Sequence, residues 1–155
     1  MATMGDLIGD FVSRRRWAVV GVSADPSKYG HRVFASLIGS GYEVVGVNPK
    51  NGQVLGREIY RDLSELSQLP EVVDVVVPPA VTESIVRQCA DLGVTRVWMQ
   101  PGAESDVAIR FCHDHGIQVV WGECAMVHRR ERGFWEAKGN GGGAARPQGT
   151  SGTEV

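Results

Sequence analysis

The chain lacks paired cysteines, a surplus of either charge, and any long apolar run. Among its 155 residues are three cysteines, Cys89, Cys112 and Cys124, and no C-x-x-C motif. An odd, scattered set makes no disulfide framework and suggests neither a zinc ribbon nor a redox pair. A reducing cytoplasm is the expected compartment. Sixteen Lys and Arg stand against 18 Asp and Glu, a formal net charge of -2. No basic surplus exists to neutralise a run of phosphates, so no nucleic-acid partner is expected. No stretch approaches the ~20 apolar residues of a membrane span, so no membrane partner is expected either. Ser13-Arg14-Arg15-Arg16 before Trp17 faintly resembles a twin-arginine export signal. The apolar run behind it is only about six residues, short of the roughly 7–15 required, and Asp25 soon follows. Also missing are the G-x-G-x-x-G and Walker A signatures of nucleotide loops.

What is present is a repeated cadence. Trp17 to Val22, Val44 to Val47, Val72 to Val77, Val97 to Met99 and Ile117 to Trp121 are short apolar runs rich in Val and Ile. Runs without alternation suit parallel strands buried on both faces. Amphipathic stretches lie between them: Val33, Phe34, Leu37 and Ile38; Ile85, Val86, Cys89 and Leu92; Val107, Ala108, Phe111 and Cys112. Each ends in a glycine (Gly41, Gly93, Gly116), as left-handed helix caps prefer. The pattern predicts βαβ units with right-handed crossovers. Ahead of them, Leu7, Ile8, Phe11 and Val12 share one helical face. Thr3 and Asp6 form a capping box there, and Arg14 to Arg16 fall in that helix's last turn. The Lys50–Pro70 connection shows only a weak helix around Leu63 to Leu69. Residues 1–138 read as one domain and 139–155 as a flexible, Gly-rich tail without apolar periodicity.

Open parallel sheets bind ligands beyond the carboxyl ends of their strands, where strand order reverses. Five of the seven prolines fall in those loops (Pro26, Pro49, Pro78, Pro79, Pro101), which suits a rigidly shaped pocket. The first loop is the phosphate candidate. Gly21, Ser23 and Gly30 give G-x-S-x6-G between a strand and a helix N-terminus, and small residues there allow close backbone approach. Lys28 reads equally as a phosphate partner or a solvated lysine; His31 reads as a surface histidine. Dinucleotide sites usually place a carboxylate at the end of the second strand to hold the ribose. Here Asn48-Pro49-Lys50 stands instead, which argues against NAD and for a ribose with an extra phosphate, as in coenzyme A or NADP.

Other groups have plainer readings. Cys112 and His115 could share a helix face, but read as a core cysteine and a helix-end histidine. Cys124 reads as a small buried cysteine, or as a thiol facing the crevice and able to form a mixed disulfide. Trp98 and Trp121 are expected in the core. Phe134 and Trp135 either pack a final segment on the domain or mark a homodimer contact. No catalytic set suggests itself.

With its loops laid out, the chain resembles the small stand-alone CoA-binding proteins. These share a Rossmann-like fold with the N-terminal domain of the succinyl-CoA synthetase alpha subunit. VVGVSADPSKYG, VGVNPKNGQVLGREIY, VVDVVVPPAV and VWMQPGA carry the resemblance, in order, over about residues 16 to 125. It implies an α/β three-layer sandwich on a five-stranded parallel sheet of order 3-2-1-4-5, the first and fourth strands flanking the switch point. It implies coenzyme A or an acyl-CoA as ligand, bound by a module without its own ligase domain. Gly21, Ser23, Ala24, Ser27, Lys28, Tyr29 and Gly30 would line the phosphates. Pro49 and Lys50 would sit by the adenosine phosphate end, with Lys50 toward the 3′-phosphate. Val77, Pro78 and Pro79 would lie against adenine, and Gln100, Pro101 and Gly102 near the crevice floor. Many stand-alone members carry a charged or aromatic residue where this chain has Pro78-Pro79. The synthetase's phosphorylated histidine lies in a second domain, so ligase chemistry does not carry over. An enzyme using NADP or an acyl-CoA, or a scaffold that has lost its ligand, are the alternative readings.

Overall fold

A computed structural model describes residues 2–142. Helix α1 (Met4–Val12) starts on the capping box: Thr3 Oγ1 accepts the Asp6 N–H at 3.0 Å, and Asp6 Oδ2 accepts the Thr3 N–H at 3.1 Å. The arginines expected in its last turn lie past its end. The cap is Ser13, Arg14 reaches back to Asp10 at 2.8 Å, and Arg16 already pairs with Glu43 as the first residue of β1. Parallel pairing claims that residue before a further helical turn can form.

Strands β1 (Arg16–Val20), β2 (Glu43–Val47), β3 (Gly52–Val54), β4 (Arg57–Tyr60), β5 (Val72–Val75), β6 (Arg96–Met99) and β7 (Gln118–Trp121) form one sheet. Their order is β3-β4-β2-β1-β5-β6-β7, parallel throughout except for β3 against β4. The α/β Rossmann-like class is as expected. The five-strand count and the 3-2-1-4-5 order of the apolar runs are not. The Val72–Val77 run does not lie outside β2; β5 lies on the other side of β1. The outer place belongs to β4, which came from the Lys50–Pro70 connection. The helix anticipated there is a single 3-10 turn, Leu63–Glu65. The switch point therefore lies between β1 and β5.

The hairpin joining β3 and β4 escaped notice for a local reason. Its two turn residues, Leu55 and Gly56, both have positive φ (54° and 74°), as a type I′ turn requires. Leucine stands where Asn or Asp would have signalled the turn. Strand β4, Arg-Glu-Ile-Tyr, buries only Ile59 fully.

Strands β1, β2, β5, β6 and β7 divide their side chains between two cores. Trp17, Val19, Val44 and Val72 face α2 (Tyr29–Gly39), which contributes Val33, Phe34 and Leu37. Ala18, Val20, Val73, Val75 and Val97 face α3 (Pro79–Leu92) and α4 (Asp106–Asp114), which contribute Val86, Cys89, Ala108 and Cys112. Burial on both faces is why the strands read as unbroken apolar runs. Trp98 is fully buried, while Trp121 at the edge is half-buried. After β7 come α5 (Ala125–His128) and α6 (Arg132–Gly142). Trp135 is buried, edge-on to Tyr42 with centroids 4.8 Å apart, so α6 packs on the domain. Helix α6 runs past residue 139, where a tail was expected; residues 143–155 lie outside the described ones. Among the described residues no helix is long and apolar enough to cross a membrane.

A left-handed leucine is strained by roughly 1–2 kcal/mol. Leu55→Asn should therefore raise stability by about 1 kcal/mol in urea unfolding. No gain would mean that the turn is not of the I′ type.

Candidate functional site

The loops at the carboxyl end of the sheet converge on residues 21–30. Gly21 has φ +108°, and a Cβ there would lie 2.2 Å from the Val76 carbonyl oxygen. Gly30, in the first turn of α2, packs as closely: its Cβ would lie 2.0 Å from the Gly21 oxygen. These two glycines let β1, the end of β5 and the start of α2 meet backbone to backbone. Between them the loop organises itself. Asp25 Oδ1 accepts the Ser27 N–H at 2.9 Å and the Ser27 hydroxyl at 2.8 Å. Those bonds, the backbone one foremost, hold the exposed Asp25 carboxyl below its usual range. Ser23 Oγ accepts the Asp25 N–H at 3.1 Å. His31 Nδ1 donates to the Ser23 carbonyl at 2.9 Å, so its role is to fasten the loop to α2. Ala24, Ser27 and Lys28 are exposed. Lys28 is the N-cap of α2, and no side chain caps that helix.

The other loops are tied to this one unequally. Asn48 Nδ2 donates to the Val22 carbonyl at 2.6 Å, and Asn48 Oδ1 accepts the Lys50 N–H at 2.8 Å. Pro49 and Lys50 are thereby presented, exposed, beside the first loop. Val77 is half-buried against Gly21, whereas Pro78 and Pro79, the N-cap and first residue of α3, are exposed. Pro101 and Gly102 are exposed beyond β6, where the Gly102 N–H donates to Glu104 rather than reaching the first loop. Gln100 is fully buried and braces the crevice from beneath.

Gln100 centres a polar network that only the fold assembles. Its Oε1 accepts the Ala125 N–H at 3.1 Å and lies 3.2 Å from the Tyr29 hydroxyl. Its Nε2 donates to Asp74 Oδ2 at 3.1 Å. The Tyr29 hydroxyl has one proton to donate and two acceptors within reach, Gln100 Oε1 and the Cys124 Sγ, 2.9 Å away. Burial, followed by the contact with Cys124, raises the Tyr29 phenol above its ordinary range. Asp74 is fully buried; its Oδ1 has no partner among the described residues. Burial raises its carboxyl well above the normal range, against the opposing bond from Gln100. Asp74 and Asn48 escaped the sequence reading of the site. A carboxylate inside Val72-Val73-Asp74-Val75 was the available signal for the first; Asn48 gave none beyond its place in the loop.

Cys89 and Cys112 are different thiols: both lie in the core, and burial pushes each up to about 12. His115 stacks on Phe111 at 3.8 Å between centroids, away from the crevice.

This switch-point loop lies inside residues 15–130, the segment that matches the CoA binding domain. The chain belongs to the CoA-binding domain family. That family segment contains all four sequence landmarks. Bacillus subtilis YneT is 26% identical over 113 residues, covering 73% of this chain and 84% of that one. The alpha subunit of ADP-forming acetate–CoA ligase II from Pyrococcus furiosus is 26% identical over 128 residues, covering 76% of this chain. The alignment spans only 28% of that ligase subunit. Among solved structures, a conserved hypothetical protein from Pyrococcus furiosus is 37% identical, with a TM-score of 0.70 over 73% of this chain and 97% of that one. A hypothetical protein from Pyrococcus horikoshii is 31% identical, with a TM-score of 0.77 over 82% and 89%. The CoA-binding domain fold is thus found in chains of this size and as a portion of larger ligase subunits.

Two substitutions test this geometry. Gly30→Ala should cost about 3 kcal/mol, because backbone must move, while Gly39→Ala in the same helix meets nothing within 4 Å and should stay within about 1 kcal/mol of wild type. Equal effects would refute the close approach. For Asp74 the unfolded chain ionises near its ordinary pKa and the native carboxyl only at higher pH. Rising pH above that range therefore removes stability until the native carboxyl also ionises. Asp74→Asn should flatten that decline and raise the urea midpoint at pH 8 relative to pH 5. An unchanged pH profile would show that Asp74 is ionised in the native state.

Proposed function

We propose that the protein binds coenzyme A, or an acyl-CoA, at the switch point between β1 and β5. One observation carries the reading: the uncapped N-terminus of α2 opens onto a loop that Gly21 and Gly30 hold closed. The first N–H groups of a helix without a side-chain cap seek acceptors, and a diphosphate supplies them. Ser23, Ala24, Ser27, Lys28 and Tyr29 complete this diphosphate site. Lys28 adds positive charge, and Asp25 spends its carboxylate within the loop. Lys50, held beside the loop through Asn48, is suited to the 3′-phosphate, with Pro49 alongside. Val77, Pro78 and Pro79 form a stiff apolar wall for adenine, and Gln100, Pro101 and Gly102 support the floor. The membership in the CoA-binding domain family agrees with this reading. On this reading the protein is a binding module without its own ligase domain.

Calorimetric titration under reducing conditions with CoA, dephospho-CoA, NADP and NAD is the direct test. CoA should bind in the micromolar range. Loss of the 3′-phosphate contact, through dephospho-CoA or through Lys50→Ala, should weaken binding about ten- to thirtyfold, as for one charge-assisted hydrogen bond. Tight NADP binding without CoA binding would reassign the crevice to an oxidoreductase. Heat from none of the four would refute the ligand.

A further inference from the structure

The opposite end of the sheet holds a cavity of about 480 Å3. Its walls are the beginnings of strands: Arg16 opens β1, Glu43 opens β2 and Arg57 opens β4. Arg15 precedes β1, and Arg132 comes from the start of α6. Four guanidiniums thus line the cavity against one carboxylate, Glu43. Among the described residues, none of the four makes a salt bridge. The nearby Glu71 is already engaged: it accepts the backbone N–H of Arg16 at 3.2 Å and lies 3.9 Å from Arg14.

The bonds these arginines do make go to backbone carbonyls. Arg15 Nε donates to Gly41 at 2.9 Å, Arg57 Nη1 to Val44 at 3.3 Å, and Arg132 Nη2 to Gly39 at 3.2 Å. Such bonds orient the guanidinium planes and leave most of their N–H donors free. Arg16 is less satisfied still, because its Nε is buried without a hydrogen-bond partner among the described residues. A buried charged donor without an acceptor is costly, and so is gathering like charges without a counter-charge. A ligand that brings oxygen acceptors relieves both.

We propose that this cavity is a second binding site, for a small organic oxyanion whose carboxylate or phosphate group the guanidiniums grip. Planar N–H forks match either group in a bidentate manner. The volume falls within the ~300–1,000 Å3 of small-molecule pockets, and beside Tyr42, Tyr60, Ser67 and Gln68 the lining offers aliphatic surface from Ile38, Val44, Val45 and Leu66. A compact anion with an apolar body therefore fits. The site is independent of the crevice: it uses the amino ends of the strands, whereas the crevice uses their carboxyl ends.

The test titrates the full chain with inorganic pyrophosphate and, separately, succinate, by calorimetry and amide NMR, with and without CoA. At least one probe should bind saturably with Kd below about 1 mM. Its shifts should centre on Gly41, Glu43 and Arg57, and CoA should not displace it. Preference between the probes tells phosphate from carboxylate. Arg57→Gln and Arg132→Gln, both at exposed positions, should each weaken binding at least about tenfold and leave the shifts of Gly21 to Gly30 unaltered. Saturation by neither probe, shifts confined to Gly21–Gly30, or displacement by CoA would overturn the second site. If CoA itself fails to bind, the crevice reading falls, and the shifts at Gly41 to Arg57 still decide this one.

Discussion

Backbone contact between Gly30, Gly21 and Val76 is the constraint on which the rest depends. Two positions where a Cβ would sit 2.0 and 2.2 Å from a carbonyl oxygen join the first crossover helix to the two central strands. No side chain could occupy that space without moving backbone. The close approach brings the open end of α2 over the switch point, and it places Tyr29 above Gln100. The proposed anion site and a buried polar network thus share one packing solution.

The network explains how β6 and β7, away from β1 in the sheet, support the first loop. Tyr29 belongs to α2, Asp74 to β5, Gln100 follows β6, and Cys124 follows β7. Each is polar, and together they satisfy one another save for one oxygen of Asp74. The raised pKa of that carboxyl favours its neutral form, which costs less to bury than an anion would. Rigidity beneath the crevice is what such a network supplies, and a rigid floor reduces the entropy lost when a ligand is ordered.

The two ends of the sheet differ in how they treat charge. At the carboxyl end, Asp25 faces Lys28 and His31, and its carboxylate is consumed in shaping the loop. At the amino end, four arginines gather with little to oppose them. A net charge of -2 for the whole chain conceals this polarity, because composition averages over surfaces that never meet.

Much of this was legible in the linear order of residues. Unbroken Val/Ile runs alternating with amphipathic stretches determined an α/β fold with parallel strands, because burial on both faces admits no other pattern. Gly21 and Gly30 were legible as the ends of the loop after the first run, where the two backbones meet. Strand order was different. The hairpin that displaced β5 from the outer position has a leucine in its turn and one fully buried side chain in β4, so short-range signals were too weak to announce it. The Asp74–Gln100–Tyr29–Cys124 network and the arginine-lined cavity join residues tens of positions apart. Hydrogen bonding and charge act through space, so only the tertiary structure could decide which of those groups meet.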